Sequence, residues 1–319
     1  MKGKWAAAAL LALAAVNAAQ AQTYPSRQVT VIVPFAAGGP ADISGRIAAD
    51  IFQRHLGQQF VVENVGGAGG TTGSLRAARA TADGTTLVMG HMGTHGAAPA
   101  LFKGLKYDPA KSFDPIGLAA GTPIVIVAKK GFPAQDLKGF VEVLKARGPA
   151  INQAHAGVGS VSHSTGVLFD ALTGAKPTLV VYRGTGPALN DLMADQVDFM
   201  TDQIVNVAPQ IAGGTIKAYA IATDARDASL PNVPTTKEAG LPEFQASAWN
   251  ALFAPKDTPK EIVASLSAAL DKALDDDVTR KRLLELGSDI PGKERRGGPA
   301  LNTLVKNEIA KWTPVIKAA

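Results

Sequence analysis

The sequence predicts an α/β protein of two lobes, each a mainly parallel sheet flanked by helices. Two observations carry this. Short β-branched runs alternate with segments of helical period, the pattern of βαβ units. Glycine-rich loops follow several of those runs and lead into the helices. The composition agrees: of 319 residues, 46% are apolar and 6% aromatic, which suits an aliphatic core rather than a disordered chain. That length accommodates two domains of ordinary size.

The chain opens with Lys2 and Lys4, then an uncharged Ala- and Leu-rich run from Trp5 to Val16, then Ala19-Gln20-Ala21. This is the pattern of a cleavable secretory signal over residues 1–21, with the mature chain expected to start at Gln22. The apolar run is shorter than the roughly 20 residues that span a bilayer. The sequence has no cysteine. That excludes a lipid anchor at the cleavage site, disulfides and thiolate metal sites. A soluble periplasmic protein is expected.

Val29–Val33 reads as a buried parallel strand, residues 34–40 as a loop, and Ile43, Ile47 and Ile51 as one face of a helix. Residues 60–62 form a second strand, 66–73 a second glycine loop and 74–80 a helix. Asp83-Gly84 turns the chain into a strand over 85–89. A second series follows: strand 124–127, helix 137–147, a glycine loop after His155, helix 164–172, strand 179–182, and helix to Met193 behind Gly184-Thr185-Gly186-Pro187. Residues 197–200 and 216–221 are further strands. Thr258-Pro259-Lys260-Glu261 has the arrangement of a capping box, ahead of Ile262, Leu266, Ala269, Leu270 and Leu274 on one helix face. No linker rich in Pro, Gly or Ser separates two halves, so the chain is expected to cross between lobes on ordered strands.

Ligands in open α/β sheets bind at the carboxyl ends of strands, where helix N-termini offer free N–H groups and a positive dipole end. The loops at 35–39, 66–73 and 157–166 therefore suggest one anion-binding cleft. The dinucleotide fingerprint is absent: Gly67-Ala68-Gly69-Gly70 breaks its spacing, and Ser162 stands where Gly157-Val158-Gly159 would need a third glycine. His91 and His95 have zinc-like spacing, but Gly90, Gly93 and Gly96 around them argue against a helix and a metal site. Ser160 and Ser162 beside His163 lack the G-x-S-x-G elbow of a nucleophile. Asp42 suits the first turn of a helix, or a ligand ammonium. Asp202 ends a strand, facing the cleft or capping the crossing. Phe35 packs under a ligand or plugs the interlobe core. The basic clusters at 280–282 and 295–296 read as solvated surface, and without interleaved aromatics no nucleic-acid partner is expected.

These residues together resemble the periplasmic substrate-binding proteins of tripartite tricarboxylate transporters, the Bug family. The resemblance covers essentially the whole mature chain. It rests on residues 24–29, on Val33-Pro34-Phe35-Ala36-Ala37-Gly38-Gly39-Pro40-Ala41-Asp42, on Glu63-Asn64 with the glycines that follow, and on residues 107–109, 113–116, Gly159-Ser160 with His163, and 182–192. It implies a periplasmic-binding-protein (Venus flytrap) fold, with lobe 1 at 22–122 and 225–319 and lobe 2 at 123–224. It implies capture of a di- or tricarboxylate, acidic amino acid or aromatic acid for membrane transporter subunits, by a monomer without cofactor or metal. Carried over by position, the ligand contacts are Phe35, Ala36, Gly39, Asp42, Gly69, Thr94, His95, Ser160, His163, Gly184, Thr185 and Asp202. The alternatives are a sensor component feeding a membrane kinase and a periplasmic hydrolase, for which no nucleophile, base and orienter assemble.

Overall fold

The computed structural model describes residues 24–318. The signal segment and the Gln22 start lie outside them. Among the described residues, no helix is long and apolar enough to cross a membrane.

The chain begins with β1 (Val29–Val33), α1 (Pro40–Leu56), β2 (Phe60–Asn64), α2 (Thr71–Ala78) and β3 (Thr86–His91). β1 lies between β2 and β3, parallel to both. Val29, Val31 and Val33 are buried with Ile47, Ile51 and Phe52 of α1 in one core. Each such side chain contributes about 1.5–3 kcal/mol on burial. A π-helical turn over Met92–Ala97 follows β3 and runs into α3 (Ala98–Leu101).

β4 (Phe113–Lys129) is the axis of the molecule. Residues 113–123 pair antiparallel with β9 (Ser247–Pro255), which also pairs with β3. Residues 124–129 leave that sheet and pair antiparallel with β7 (Phe199–Gln203) and β8 (Ile216–Ile221). The second sheet continues from β7 to β5 (Asn152–His155) and β6 (Thr178–Val181), all parallel. α4 (Leu137–Arg147), α5 (Val161–Thr173), α6 (Thr185–Met193) and α7 (Ile204–Ala212) flank it. α8 (Lys260–Ala273), α9 (Asp277–Glu285) and α10 (Gly297–Ala318) complete the chain; α8 and α10 pack on β4 and α8 also on α1. The chain thus crosses between sheets on an ordered strand. The expected parallel order holds within β1–β3 and within β5–β7. β4 and β9 are antiparallel to their neighbours, so each sheet is mixed.

Several local expectations shift. The strand read over 124–127 is the tail of a 17-residue strand. α2 and α5 each start three residues earlier than read, because Gly70 and Ser160 end the preceding loops there. The last strand of the βα series is 199–203 rather than 197–200. The capping box at Thr258 does not form: its Oγ1 donates to the Pro255 carbonyl at 2.7 Å, and the helix starts from Pro259 without a side-chain cap. The expectation that glycines keep 91–95 from being helical also fails. The turn there is π-helical, capped by His91 Nδ1, which accepts from the Gly93 N–H, and by Thr94 Oγ1, which accepts from the His91 N–H.

Candidate functional site

A small cavity lies where the two sheets face each other. Four helices begin on its wall. Gly39, Pro40 and Ala41 open α1; Ser160, Val161 and Ser162 open α5; Thr185 is the first residue of α6; Gln203 is the N-cap of α7. Phe35, His91, Ala156 and Asp202, each at or just beyond the carboxyl end of a strand, complete the lining. Ser160 caps its own helix by accepting from the N–H of His163 at 3.2 Å. The N-caps of α1, α6 and α7 provide no side-chain cap. Their first-turn N–H groups lack a side-chain acceptor at the cap, and helix ends of this kind favour an anion. Among the described residues, no lysine or arginine lines this cavity.

Asp202 is 1% exposed. Its Oδ2 accepts from Asn206 Nδ2 at 2.5 Å, while Oδ1 has no protein partner. Burial pushes its carboxyl up to about 7, against the hydrogen bonds from Asn206, the Gln203 backbone and Thr185, which favour the ionised form. Across the cavity, His91 Nδ1 accepts from the Gly93 N–H at 2.8 Å, and its ring centre lies 4.9 Å from that of Phe35. Burial drives its imidazole down to about 3. Gln203 Oε1 accepts from Thr122 Oγ1 at 2.5 Å and Asn250 Nδ2 at 3.1 Å, so this wall is tied to β4 and β9 where β4 changes sheets.

Five of the residues expected at the ligand line the cavity: Phe35, Gly39, Ser160, Thr185 and Asp202. The other seven lie outside its lining, each for a local reason. Ala36 donates its N–H to the Arg183 carbonyl at 3.1 Å, with Gly184 pressed against it. Asp42 accepts from the Gly38 N–H, Arg46 Nε and Asn64 Nδ2 at 2.9–3.0 Å, which fixes the first loop and holds its carboxyl below the usual range despite burial. Gly69, at φ +61°, lies against the Val158 carbonyl. Thr94 and His95 are buried in the first half, where Thr94 Oγ1 meets His95 Nδ1 at 2.9 Å and the His95 ring stacks on Phe253 at 4.1 Å. His163 Nδ1 accepts from the Gly159 N–H at 3.4 Å, beside the His155 ring.

Sequence reasoning missed His91, Ala156 and Gln203 as lining residues, whereas Ser162, whose hydroxyl the sequence suits to a ligand hydrogen bond, does line the cavity. His91 and Gln203 each end a strand that runs two or three residues further than read, and strand ends face the cleft. His91 was weighed only for metal binding. No group of three or more His, Cys, Asp or Glu among the described residues is placed to hold a metal.

The glycine loops meet across the cleft. A Cβ on Gly186 would lie 2.5 Å from the Ala37 carbonyl oxygen, one on Gly39 3.2 Å from Thr185 Oγ1, and one on Gly93 2.4 Å from the Gly159 carbonyl oxygen. The glycines thus do more than turn the chain: they let two backbones touch.

The sequence profile of the TctC family, described as the tripartite tricarboxylate transporter family receptor, matches residues 45–319. MatC from Rhodopseudomonas palustris, solved with bound malate, is 47% identical, with 92% of this chain and 100% of that one covered and a TM-score of 0.88. The periplasmic binding protein BugD is 39% identical over 92% of this chain and 98% of its own, with a TM-score of 0.89. A second R. palustris protein, solved with adipate, is 32% identical over 92% and 97%, with a TM-score of 0.87. With its mixed α/β halves and its cleft ringed by helix N-termini, this chain belongs to the TctC, or Bug, family of periplasmic solute-binding proteins.

Proposed function

We propose that this protein captures a small carboxylate, of the dicarboxylate class, and presents it to the membrane subunits of a tripartite tricarboxylate transporter. One observation carries the reading: four helix N-termini open on one cavity that no lysine or arginine among the described residues lines. Such a site recognises a carboxylate through N–H groups and dipoles rather than through a counter-ion. The relatives solved with malate and adipate support the class. Asp202 narrows it. A lone buried carboxyl beside an anion either accepts from a ligand hydroxyl or keeps a proton shared with a second ligand carboxylate. A hydroxy-dicarboxylate such as malate meets both demands. In this reading residues 1–21 direct export to the periplasm and are removed.

A thermal-shift series on the purified mature chain tests it, using malate, succinate, adipate and the corresponding diamides. A ligand at 100 times its Kd adds about 2.7 kcal/mol, a readable rise in Tm. At least one dicarboxylate raises Tm and its diamide does not. Equal stabilisation by the neutral diamides overturns the reading.

A further inference from the structure

We propose that His91 is a specificity-determining residue of this cleft, donating an uncharged Nε2–H to an acceptor oxygen of the ligand. The proposal rests on the carboxylate reading above and assigns one wall of that site. The tautomer follows from a backbone bond. The Gly93 N–H points at Nδ1 from 2.8 Å, and an N–H can only donate. Nδ1 therefore offers its lone pair, and in the neutral ring the proton sits on Nε2. Among the described residues that atom has no hydrogen-bond partner, yet it is not one of the sealed, unpartnered nitrogens, whereas His95 Nε2 is. Since the ring lines the cavity, Nε2 opens onto it.

The ring is held in place. Phe35 lies against it at 4.9 Å, and a Cβ on Gly93 would come 2.7 Å from its Cε1. The His91 N–H is bound to Thr94 Oγ1 at 3.2 Å. The surrounding charges also fit a neutral donor. Asp202 is the other titratable group on the cavity wall. On α5 and the end of β5, the His163 and His155 rings lie tilted against each other at 4.9 Å and accept from the backbone N–H groups of Gly159 and Gly157. On α1, Asp42 is paired with Arg46 and lies outside the cavity lining. A donor so fixed favours a carboxylate or carbonyl oxygen at this wall and opposes a ligand that turns an ammonium towards it.

The test compares His91→Leu, which removes the donor, with His91→Gln, whose amide restores one, by calorimetric titration with malate and succinate. The leucine variant binds about 10–100-fold more weakly, and the glutamine variant recovers most of the loss. The ratio of wild-type to leucine-variant affinity is the same at pH 5.5 and pH 8. Unchanged affinity in the leucine variant overturns the proposal, and so does a ratio that collapses at pH 8, which marks an imidazolium. Imidazole 15N NMR of the wild-type protein decides independently of how the variants fold. It shows His91 protonated at Nε2, with that resonance shifted by malate; an Nδ1–H tautomer or an unmoved Nε2 overturns the assignment. If no carboxylate raises the wild-type Tm, the functional reading itself fails. If carboxylates do so and His91→Leu binds them normally, only this assignment fails.

Discussion

The backbone N–H of Ala36 donates to the carbonyl oxygen of Arg183 at 3.1 Å, from the loop after β1 to the loop before α6. This is a main-chain bond between the two halves. It forms because Gly184 sits opposite: a Cβ there would lie 3.0 Å from the Ala36 nitrogen. With Gly39 and Gly186 beside it, this region of the cleft is bare backbone on both sides. Contact between the halves therefore depends on small separations that any side chain disturbs.

Gly186→Ala tests that dependence. Its added Cβ meets the Ala37 carbonyl oxygen at 2.5 Å and the Gly38 carbonyl carbon at 2.8 Å, both backbone atoms that cannot turn aside. The expected outcome is a Kd raised at least about tenfold, because a ligand stabilises the contacted form only by its extra affinity for it. The unliganded Tm stays within a few degrees. Small-angle scattering shows no ligand-dependent contraction in the variant. Wild-type affinity would show that the halves need not meet this closely.

Asp202→Asn isolates a buried carboxyl. Its folded pKa, about 7, stands above the ordinary 3.8. A raised pKa means that its contribution is fully favourable below about 3.8 and is lost as pH rises towards 7. The asparagine variant escapes that loss. Its Tm relative to wild type therefore climbs between pH 4 and pH 7 and levels off above. A Tm difference that is flat across this range contradicts the buried, cation-free setting of Asp202.

The histidines give the opposite sign. His91 and His95 are both held neutral by burial, with pKa values down at about 3. Their unfolded forms take up protons near pH 6.5. The stability from burying them neutral is present above that pH and is lost as pH falls from 6.5 towards 3, at about 1.4 kcal/mol per pH unit for each histidine. His95→Gln, which cannot titrate, flattens the fall of Tm with acid relative to wild type. Parallel acid profiles would mean that His95 is solvated in the native state.

The parts of the fold legible in the sequence were those with local cause. β1 was read over its full length because five consecutive apolar and β-branched residues admit little else, and α4 and β8 were bounded correctly by turn residues. β9 was invisible. Ser247–Pro255 carries Trp249, Asn250 and Phe253 in no simple alternation, because it is buried between β3 and β4 and has no solvent face to impose a period. The cleft was legible as glycine loops, but the identity of its lining turned on where strands stop. Reading β3 to end at Met89 rather than His91 left an imidazole out of the site. Thr94 and His95 were misplaced for a related reason: the π-helical turn after β3 carries them away from the cavity and into the core.

Gln203 ends one wall of the cavity and also holds Thr122 and Asn250, side chains at the place where β4 passes from one sheet to the other. If the halves rock about this crossing, the pivot lies beside the cavity rather than remote from it. Rotation about a nearby axis moves the cavity wall by little and the outer lips by much more. In that case the crossing serves as a fulcrum set close to the cavity, trading mechanical advantage for reach.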